Sequence, residues 1–367
     1  MSESRLPAVE RNVLLSIAAA LLAFAACSHE GPPVPAAPGQ PAGQLTIMTF
    51  NVENLFDNED DPGKDDRTFL PLEAKRTDEH RAACERIEVA HWREQCLEWD
   101  WSEEILDRKL TVVAEAILQV DGGRGPDIVA LQEVENLRIL ERLRTEYLAD
   151  AGYRRGILIE GDDARGIDVA FLAKLPLAEA PALHRIPFGE AAGARVADTR
   201  GILEATFRLP DGALLTGYAV HFPAPFHPTA MREAAFRHLN ELKAALPADR
   251  PVFAAGDFNV TSAEDTREAL LDRHARPHWT VIHDRCAGCR GTSYYARDDS
   301  WSFLDMILWS PAGRSAGATW EPVADSVALA NRTPAQVTAR GTPARFELPE
   351  GKGVSDHWPL VFSIALQ

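Results

Sequence analysis

The chain is short of positive charge: 38 Lys and Arg stand against 55 Asp and Glu in 367 residues, a formal net charge of −17. It also lacks any Lys/Arg-rich stripe interleaved with aromatics, the mark of a tight nucleic-acid binder. A surface that repels polyanions is therefore expected unless a local basic groove or a bound cation reverses the field. That weighs against high-affinity DNA binding but leaves hydrolysis of a phosphate ester at a metal open. There is no internal repeat at a fixed period, and 24 Gly and 25 Pro are too few for a collagen-like or wholly disordered chain. Apolar runs long enough to span a bilayer are missing too. The run at residues 13–26, broken only by Ser16, is too short to cross but suits a signal-peptide core behind Arg5 and Arg11.

That run ends Phe24-Ala25-Ala26-Cys27. Small residues before a cysteine resemble the lipobox that bacterial lipoprotein processing cuts, with Phe24 in place of the usual Leu. Residues 1–26 are read as a signal peptide of lipoprotein type, with Cys27 the lipidated first residue of the mature chain. A plain secretory signal is the competing reading. Residues 27–44 are rich in Pro, Ala and Gly without a hydrophobic period, a solvated tether. The folded domain is then residues 45–367. This reading places the protein outside the cytoplasm, lipid-anchored in a bacterial cell envelope at the periplasmic or outer-membrane face.

The four remaining cysteines fall into two sequence-close pairs, Cys84 with Cys96 and Cys286 with Cys289. Two local disulfides suit an oxidising compartment. The pairs lie too far apart in sequence for a compact zinc module, and Cys286 with Cys289 would close so tight a loop that a reduced pair is equally admitted.

Residues 45–52 read as a buried strand, followed by an acidic loop over residues 53–66. Asp57, Glu59 and Asp61 invite a calcium-loop reading that fails on position, because Pro62 stands where that loop needs Gly and Thr68 where it needs Glu. A solvated acidic loop is expected instead. Residues 102–120 form an amphipathic helix: Ser102 can cap, Glu103 and Glu104 favour the first turn, and Ile105, Leu106, Leu110, Val113, Ile117 and Leu118 share a face. A strand over 127–134 and a helix over 135–149 follow. Further strands are expected at 156–159, 168–173, 201–207, 214–221, 252–258, 304–309 and 360–364, with helices at 229–245 and 262–272. Interleaving of this kind, with no break after Gln44, indicates one layered α/β domain.

Polar residues collect at strand ends: Asn51, Glu133, His221, Asp257 with Asn259, Asp305, and Asp356 with His357. Any single Asn or Asp there is a turn former, and any single His a satisfied core residue. Together they point to one crevice, where strand ends of layered α/β folds converge. In order along the chain, TFNVENLF from Thr49, PDIVALQEV from Pro126, RGIDVAFL from Arg165, VHFPAP from Val220, GDFNV from Gly256, WSFLDMIL from Trp301 and SDHWPLVF from Ser355 resemble the endonuclease/exonuclease/phosphatase superfamily. That family includes pancreatic-type deoxyribonuclease, exonuclease III-type enzymes, neutral sphingomyelinases and inositol polyphosphate 5-phosphatases.

The resemblance implies a four-layer α/β/β/α sandwich of two packed mixed sheets flanked by helices. It implies one Mg²⁺ or Mn²⁺ ion, with Glu133 the principal metal carboxylate and Asn51 and Asp356 beside it. Asp257 matches the group that orients and deprotonates the attacking water, Asn259 one that holds a phosphate oxygen, and His357, oriented by Asp305, one that contacts the scissile phosphate. His221 matches a second donor, although Ala219 and Val220 stand where the family usually places a helper Asn. Arg165 and Arg200 are candidate phosphate contacts. Asp168 matches no catalytic carboxylate well and is carried as a weak candidate, and RGIDVAFL lacks the tyrosine of exonuclease III-type enzymes.

The expected activity is metal-dependent hydrolysis of phosphate esters by in-line attack of water, by a monomer acting as a nuclease on DNA or RNA. The alternative is a phospholipid or sphingomyelin phosphodiesterase, or a phosphomonoesterase, at the membrane that Cys27 would hold. Trp92, Trp99 and Trp101 near the first cysteine pair would then form an interfacial surface. A non-catalytic surface lipoprotein is the third reading, disfavoured because Glu133, Asp257, Asn259 and His357 are all retained.

Overall fold

The computed structural model describes residues 43–189, 196–311 and 319–367. The leader, Cys27 and nearly all of the tether lie outside the described residues. In chain order the first strands are β1 (Gln44–Leu55), β2 (Ile128–Val134), β3 (Ile157–Leu158), β4 (Asp168–Ala173) and β5 (Ala182–His184). They are followed by β6 (Ile202–Arg208), β7 (Leu214–His221), β8 (Val252–Asp257), β9 (Thr280–Val281) and β10 (Ser293–Tyr295). The last are β11 (Ser300–Ser302), β12 (Asp305–Ser310), β13 (Trp320–Pro322), β14 (Ala328–Leu329) and β15 (Leu360–Leu366). The helices are α1 (Asp78–Cys84), α2 (Ala90–Glu98), α3 (Glu103–Leu118), α4 (Leu137–Arg142), α5 (Thr229–Ala245) and α6 (Ser262–Glu268).

Two mixed sheets result. One runs β13-β15-β1-β2-β4-β3, with β14 also on β15, and the other β5-β6-β7-β8-β12-β9. β1 is parallel to β2 and β7 parallel to β8, whereas most other pairs are antiparallel. Because side chains alternate along a strand, each central strand serves two cores. Leu45 and Ile47 of β1 join Ala130, Phe171, Phe207, Phe253 and Ile307 between the sheets. Met48 and Phe50 face the other way, onto Leu106, Leu110, Val113 and Ile117 of α3. On the far side, Tyr218 and Val220 of β7 pack under Met231, Phe236 and Leu239 of α5. The layers are therefore helix, sheet, sheet, helix, as the resemblance implied. Truncating Phe253 to Ala in the central layer would cost about 3–5 kcal/mol.

The acidic loop and the segment after it depart from expectation. Glu59, Asp60, Pro62, Gly63 and Asp65 are exposed as expected of a solvated loop, but Asp57 and Asp66 are buried. Glu135 lies just past β2 rather than starting a helix, because the Asn136 side chain caps α4 by accepting from Ile139 N. Ser102 occupies the N-cap position of α3 but its hydroxyl makes no cap bond. α6 stops at Glu268 because Ala269 turns left-handed, φ 51°. The short helices α1 and α2 had no legible period, and a disulfide from Cys84 to Cys96 staples them together. Cys286 is likewise bonded to Cys289.

Candidate active site

Strict alternation carries four of the expected residues to one place. On β1 the set Leu45, Ile47 continues to Asn51; on β7, Leu215 and Ala219 lead to His221; on β8, Phe253 and Ala255 lead to Asp257; on β12, Trp309 and Ile307 lead back to Asp305. All four sit on the face between the sheets, at its open end. Register ties three of them side by side, with His221 opposite Asp257 and Asp257 opposite Asp305. Gly256 permits this closeness, since a Cβ there would lie 1.9 Å from Val220 O.

Glu133 reaches the site by a different device. Alternation would turn it toward α3, but a bulge interrupts both ladders of β2 between Gln132 and Val134, and Glu133 takes a left-handed φ of 64°. That irregularity re-aims its side chain into the cleft. Glu53 and Asn54, also left-handed, make the matching irregularity in β1.

The contacts form one network. Asn51 Nδ2 donates to Asp257 Oδ2 at 3.1 Å and to Glu133 Oε1 at 3.3 Å, while its Oδ1 accepts from Glu53 N. Asn51 thus presents an amide N–H₂ to the two carboxylates, the orientation of a positioning group. Asn54 N donates to Glu133 Oε2. Asn259 N donates to Asp257 Oδ1 at 2.8 Å, and Asn259 Nδ2 to Phe222 O. His357 Nδ1 is 2.6 Å from Asp305 Oδ2, and its Nε2 is 3.8 Å from Asp356 Oδ1. His221 Nε2 lies 3.6 Å from Asp257 Oδ2. These groups border a cleft of about 1450 Å³, whose lining also includes Arg165 and Arg200.

Charge inside the cleft is divided. Burial would raise the Glu133 carboxyl, but His221, Arg165, Arg200 and His357 around it bring it down to about 2. Asp257 goes the other way, pushed up to about 7 by burial and the Asp305 carboxylate against the pull of His357. Burial would lower His357, yet Asp305, Asp356 and Asp257 hold its imidazole well above the usual value. Burial and Arg200 drive His221 well below it, so His221 is neutral at pH 7. Glu133 is thus held ionised and Asp257 titrates near neutral pH, while His357 is an imidazolium and His221 a neutral imidazole.

Of the candidates, Glu133, His221, Asp257, Asn259, Asp356, His357, Arg165 and Arg200 line the cleft. Asn51 and Asp305 stand behind it as the partners just described. Asp168 does not line it: buried at the start of β4, its Oδ1 accepts from Gly161 N. Trp101 does not reach the surface either, because its ring is buried with Nε1 donating to Phe56 O; Trp92 is exposed.

Two further residues escaped the sequence. Glu53 is buried at the cleft edge and accepts from Arg345 Nε, Phe346 N and Asp356 N, fixing the approach of the SDH segment to β1. Lys109 is fully buried in α3, its Nζ donating to Val52 O and Val354 O at 2.7 Å each. A lysine on the apolar stripe of an amphipathic helix was the available signal.

The donors fit a hard divalent cation, since the cleft offers the carboxylates of Glu133, Asp356 and Asp257 with no thiolate among the described lining side chains free to bind.

The model of the endonuclease/exonuclease/phosphatase family matches residues 48–357. The chain belongs to this family. No curated protein matches the sequence. Among solved structures, an endonuclease/exonuclease/phosphatase from Beutenbergia cavernae DSM 12333 is 17% identical, with 88% of this chain and 72% of that one covered at a TM-score of 0.53. Humanized D. rerio TDP2 is 16% identical, with 88% and 98% covered and a TM-score of 0.54. D. rerio TDP2 complexed with a single-strand DNA product is 17% identical, with 88% and 98% covered and a TM-score of 0.50. At such identities the likeness is one of fold. The chain thus has the family membership and fold of phosphoesterases and nuclease-like proteins.

Proposed function

We propose that this family member is an exported, divalent-metal-dependent phosphodiesterase that cleaves DNA or RNA. The observation that carries the reading is the pairing of Glu133 and Asp257 with Arg165, Arg200 and His357 around one cleft, acid and base on the one side and counter-charges for phosphate on the other. Glu133, with Asp356 nearby and Asn51 behind, would hold one Mg²⁺ or Mn²⁺. A bound cation there neutralises the non-bridging and leaving oxygens of the ester.

The remaining work falls to the chain's own groups. Asp257, held at Oδ1 by Asn259 N and at Oδ2 by Asn51 Nδ2, accepts a proton from the attacking water near neutral pH. His357, protonated and oriented through Nδ1 by Asp305, donates from Nε2 to a phosphate oxygen. Neutral His221 offers one N–H to the same group. Arg165 and Arg200 bind the phosphate, which lets a chain of net charge −17 accept a polyanion locally.

Nucleic acid is favoured as substrate by the open cleft and by the similar fold that TDP2 uses to hold a single-strand DNA product. Trp92, 55% exposed beside His91 on the cleft lining, supports a lipid phosphodiester as the second reading. Export is supported by the two disulfides, and the lipid anchor at Cys27 with its membrane partner belongs to the same proposal, as does a monomeric state. No helix among the described residues is long and apolar enough to cross a membrane.

The experiment compares the wild-type chain with Asp257→Ala on plasmid DNA, RNA, sphingomyelin vesicles and phosphoinositide vesicles, each with Mg²⁺ or Mn²⁺ and with EDTA. Cleavage of DNA or RNA that needs metal and Asp257 is the expected result. Turnover confined to the vesicles would replace the nuclease reading with the lipid one.

A further inference from the structure

The acidic loop after β1 exposes Glu59, Asp60 and Asp65 but turns other carboxylates inward. It folds onto the end of β2 and gathers Asp57, Asp61 and Asp66 around Glu135, outside the lining of the cleft. One oxygen from each of Asp61, Asp66 and Glu135 lies within 4.8 Å of the others. Asp66 and Glu135 are 1% and 3% exposed. Each spends one oxygen on a backbone N–H, Asp66 Oδ2 on Asp61 N and Glu135 Oε2 on Asp57 N, both at 2.8 Å. Their other oxygens, Asp66 Oδ1 and Glu135 Oε1, are buried without any hydrogen-bond donor.

The nearby cations do not answer them. Arg138 pairs with Asp57, Glu59 and, at 3.6 Å, Asp61 Oδ1, and reaches neither orphaned oxygen. Lys64 donates to Gly161 O and Asp163 O, and Arg67 turns to Asp65. Asn136 Nδ2 serves Asp57 and Asp61. Two buried residues, each with an orphaned carboxylate oxygen, clustered with the half-buried carboxylate of Asp61, leave a position for a hard cation.

We propose that Asp61, Asp66 and Glu135, braced by Asp57, bind a calcium ion at a site separate from the catalytic cleft. Carboxylates from an irregular loop and a strand end suit calcium, which accepts six to eight oxygens in flexible geometry, better than the smaller, strictly octahedral magnesium. The failed loop pattern in the sequence is explained, because one ligand, Glu135, comes from just past β2, far along the chain. The ion ties residues 57–66 to β2 two residues past Glu133, and so holds the start of the cleft wall that continues through Arg67 and Phe69.

The test is calorimetric titration of the EDTA-stripped full chain with CaCl₂, with thermal melting alongside, in wild type, Glu133→Gln, Asp66→Asn and the double change Asp61→Asn with Asp66→Asn. Wild type and Glu133→Gln should each bind calcium at this site and melt about 5 °C higher at a calcium concentration one hundred times Kd. The double variant, its fold checked by circular dichroism, should lose that response and bind at least about 100-fold more weakly, with Asp66→Asn intermediate. Metal-dependent turnover plays no part in the readout, so failure of the proposed activity would leave this result standing. A calcium response that Glu133→Gln abolishes, or that the double variant keeps, would overturn the site. So would a wild type indifferent to calcium whose metal-free stability rises on Asp66→Asn, since the carboxylates would then be sharing protons rather than a cation.

Discussion

Nδ1 of His357 lies 2.6 Å from Oδ2 of Asp305, a residue 52 positions earlier on the neighbouring sheet and completely buried. The pair makes the cleft imidazole a cation and fixes which nitrogen faces the substrate.

Asp305→Asn keeps the shape and removes the charge. Turnover should fall about 10²- to 10⁴-fold with little change in KM. The basic limb of the pH–rate profile should move down toward the ordinary histidine range, because an imidazole raised by a carboxylate holds its proton only while that carboxylate is ionised. A profile identical to wild type would remove Asp305 from its role.

Lys109 joins the two segments that carry Glu53 and Asp356, by donating to Val52 O and Val354 O. Burial draws its ammonium down to about 8, against the pull of the Glu53 and Asp356 carboxylates. Lys109→Met retains the packing but strands two carbonyls, so stability should fall by about 2–4 kcal/mol in urea melts and turnover several-fold more than KM. An unchanged melt would show the lysine to be dispensable.

Asp168 predicts a pH effect without a catalytic one. Burial lifts its carboxyl to about 7, above the unfolded value of 3.8. The folded state therefore binds the extra proton between these values, and stability from this residue is full below about 4 and lost as pH rises to 7. Asp168→Asn should stabilise the protein at pH 8 by roughly 2–4 kcal/mol, have no effect at pH 3.5 and leave turnover intact. Loss of turnover would put Asp168 back among the functional residues.

The disulfide between Cys84 and Cys96 closes a loop of 12 residues' separation around α1 and α2, on which the cleft residues Arg86, His91 and Trp92 depend. Replacing both cysteines by Ser should cost about 2–3 kcal/mol in a denaturant melt. Reduction of the wild type, which also opens Cys286–Cys289, should lower its melting point at least as much, whereas a reduced wild type more stable than the double variant would point to a separate effect of the serines.

Much of the site was legible because it obeys period two. Asn51, His221, Asp257 and Asp305 lie on strands whose alternating residues face the other sheet, so pattern alone converges them. Glu133 was found by its motif, yet its direction rests on a bulge that no alternation shows. Glu53 and Arg345 meet across 292 positions, and Glu135 meets Asp66 across a loop of irregular spacing. Such contacts are set by how the sheets close, which local sequence does not encode. Asp168 failed for the complementary reason, a strand-start carboxylate that caps its own loop.

The central claim is that Glu133 and Asp257 work together on a phosphodiester. The most direct measurement is the rate of Mg²⁺-dependent cleavage of a fluorescent single-stranded DNA by wild type, Glu133→Gln and Asp257→Asn, with Mg²⁺ titrated for each. Both variants should lose at least about 10³-fold, with the Mg²⁺ requirement shifted upward only for Glu133→Gln. Wild-type cleavage that persists in either variant would contradict the claim.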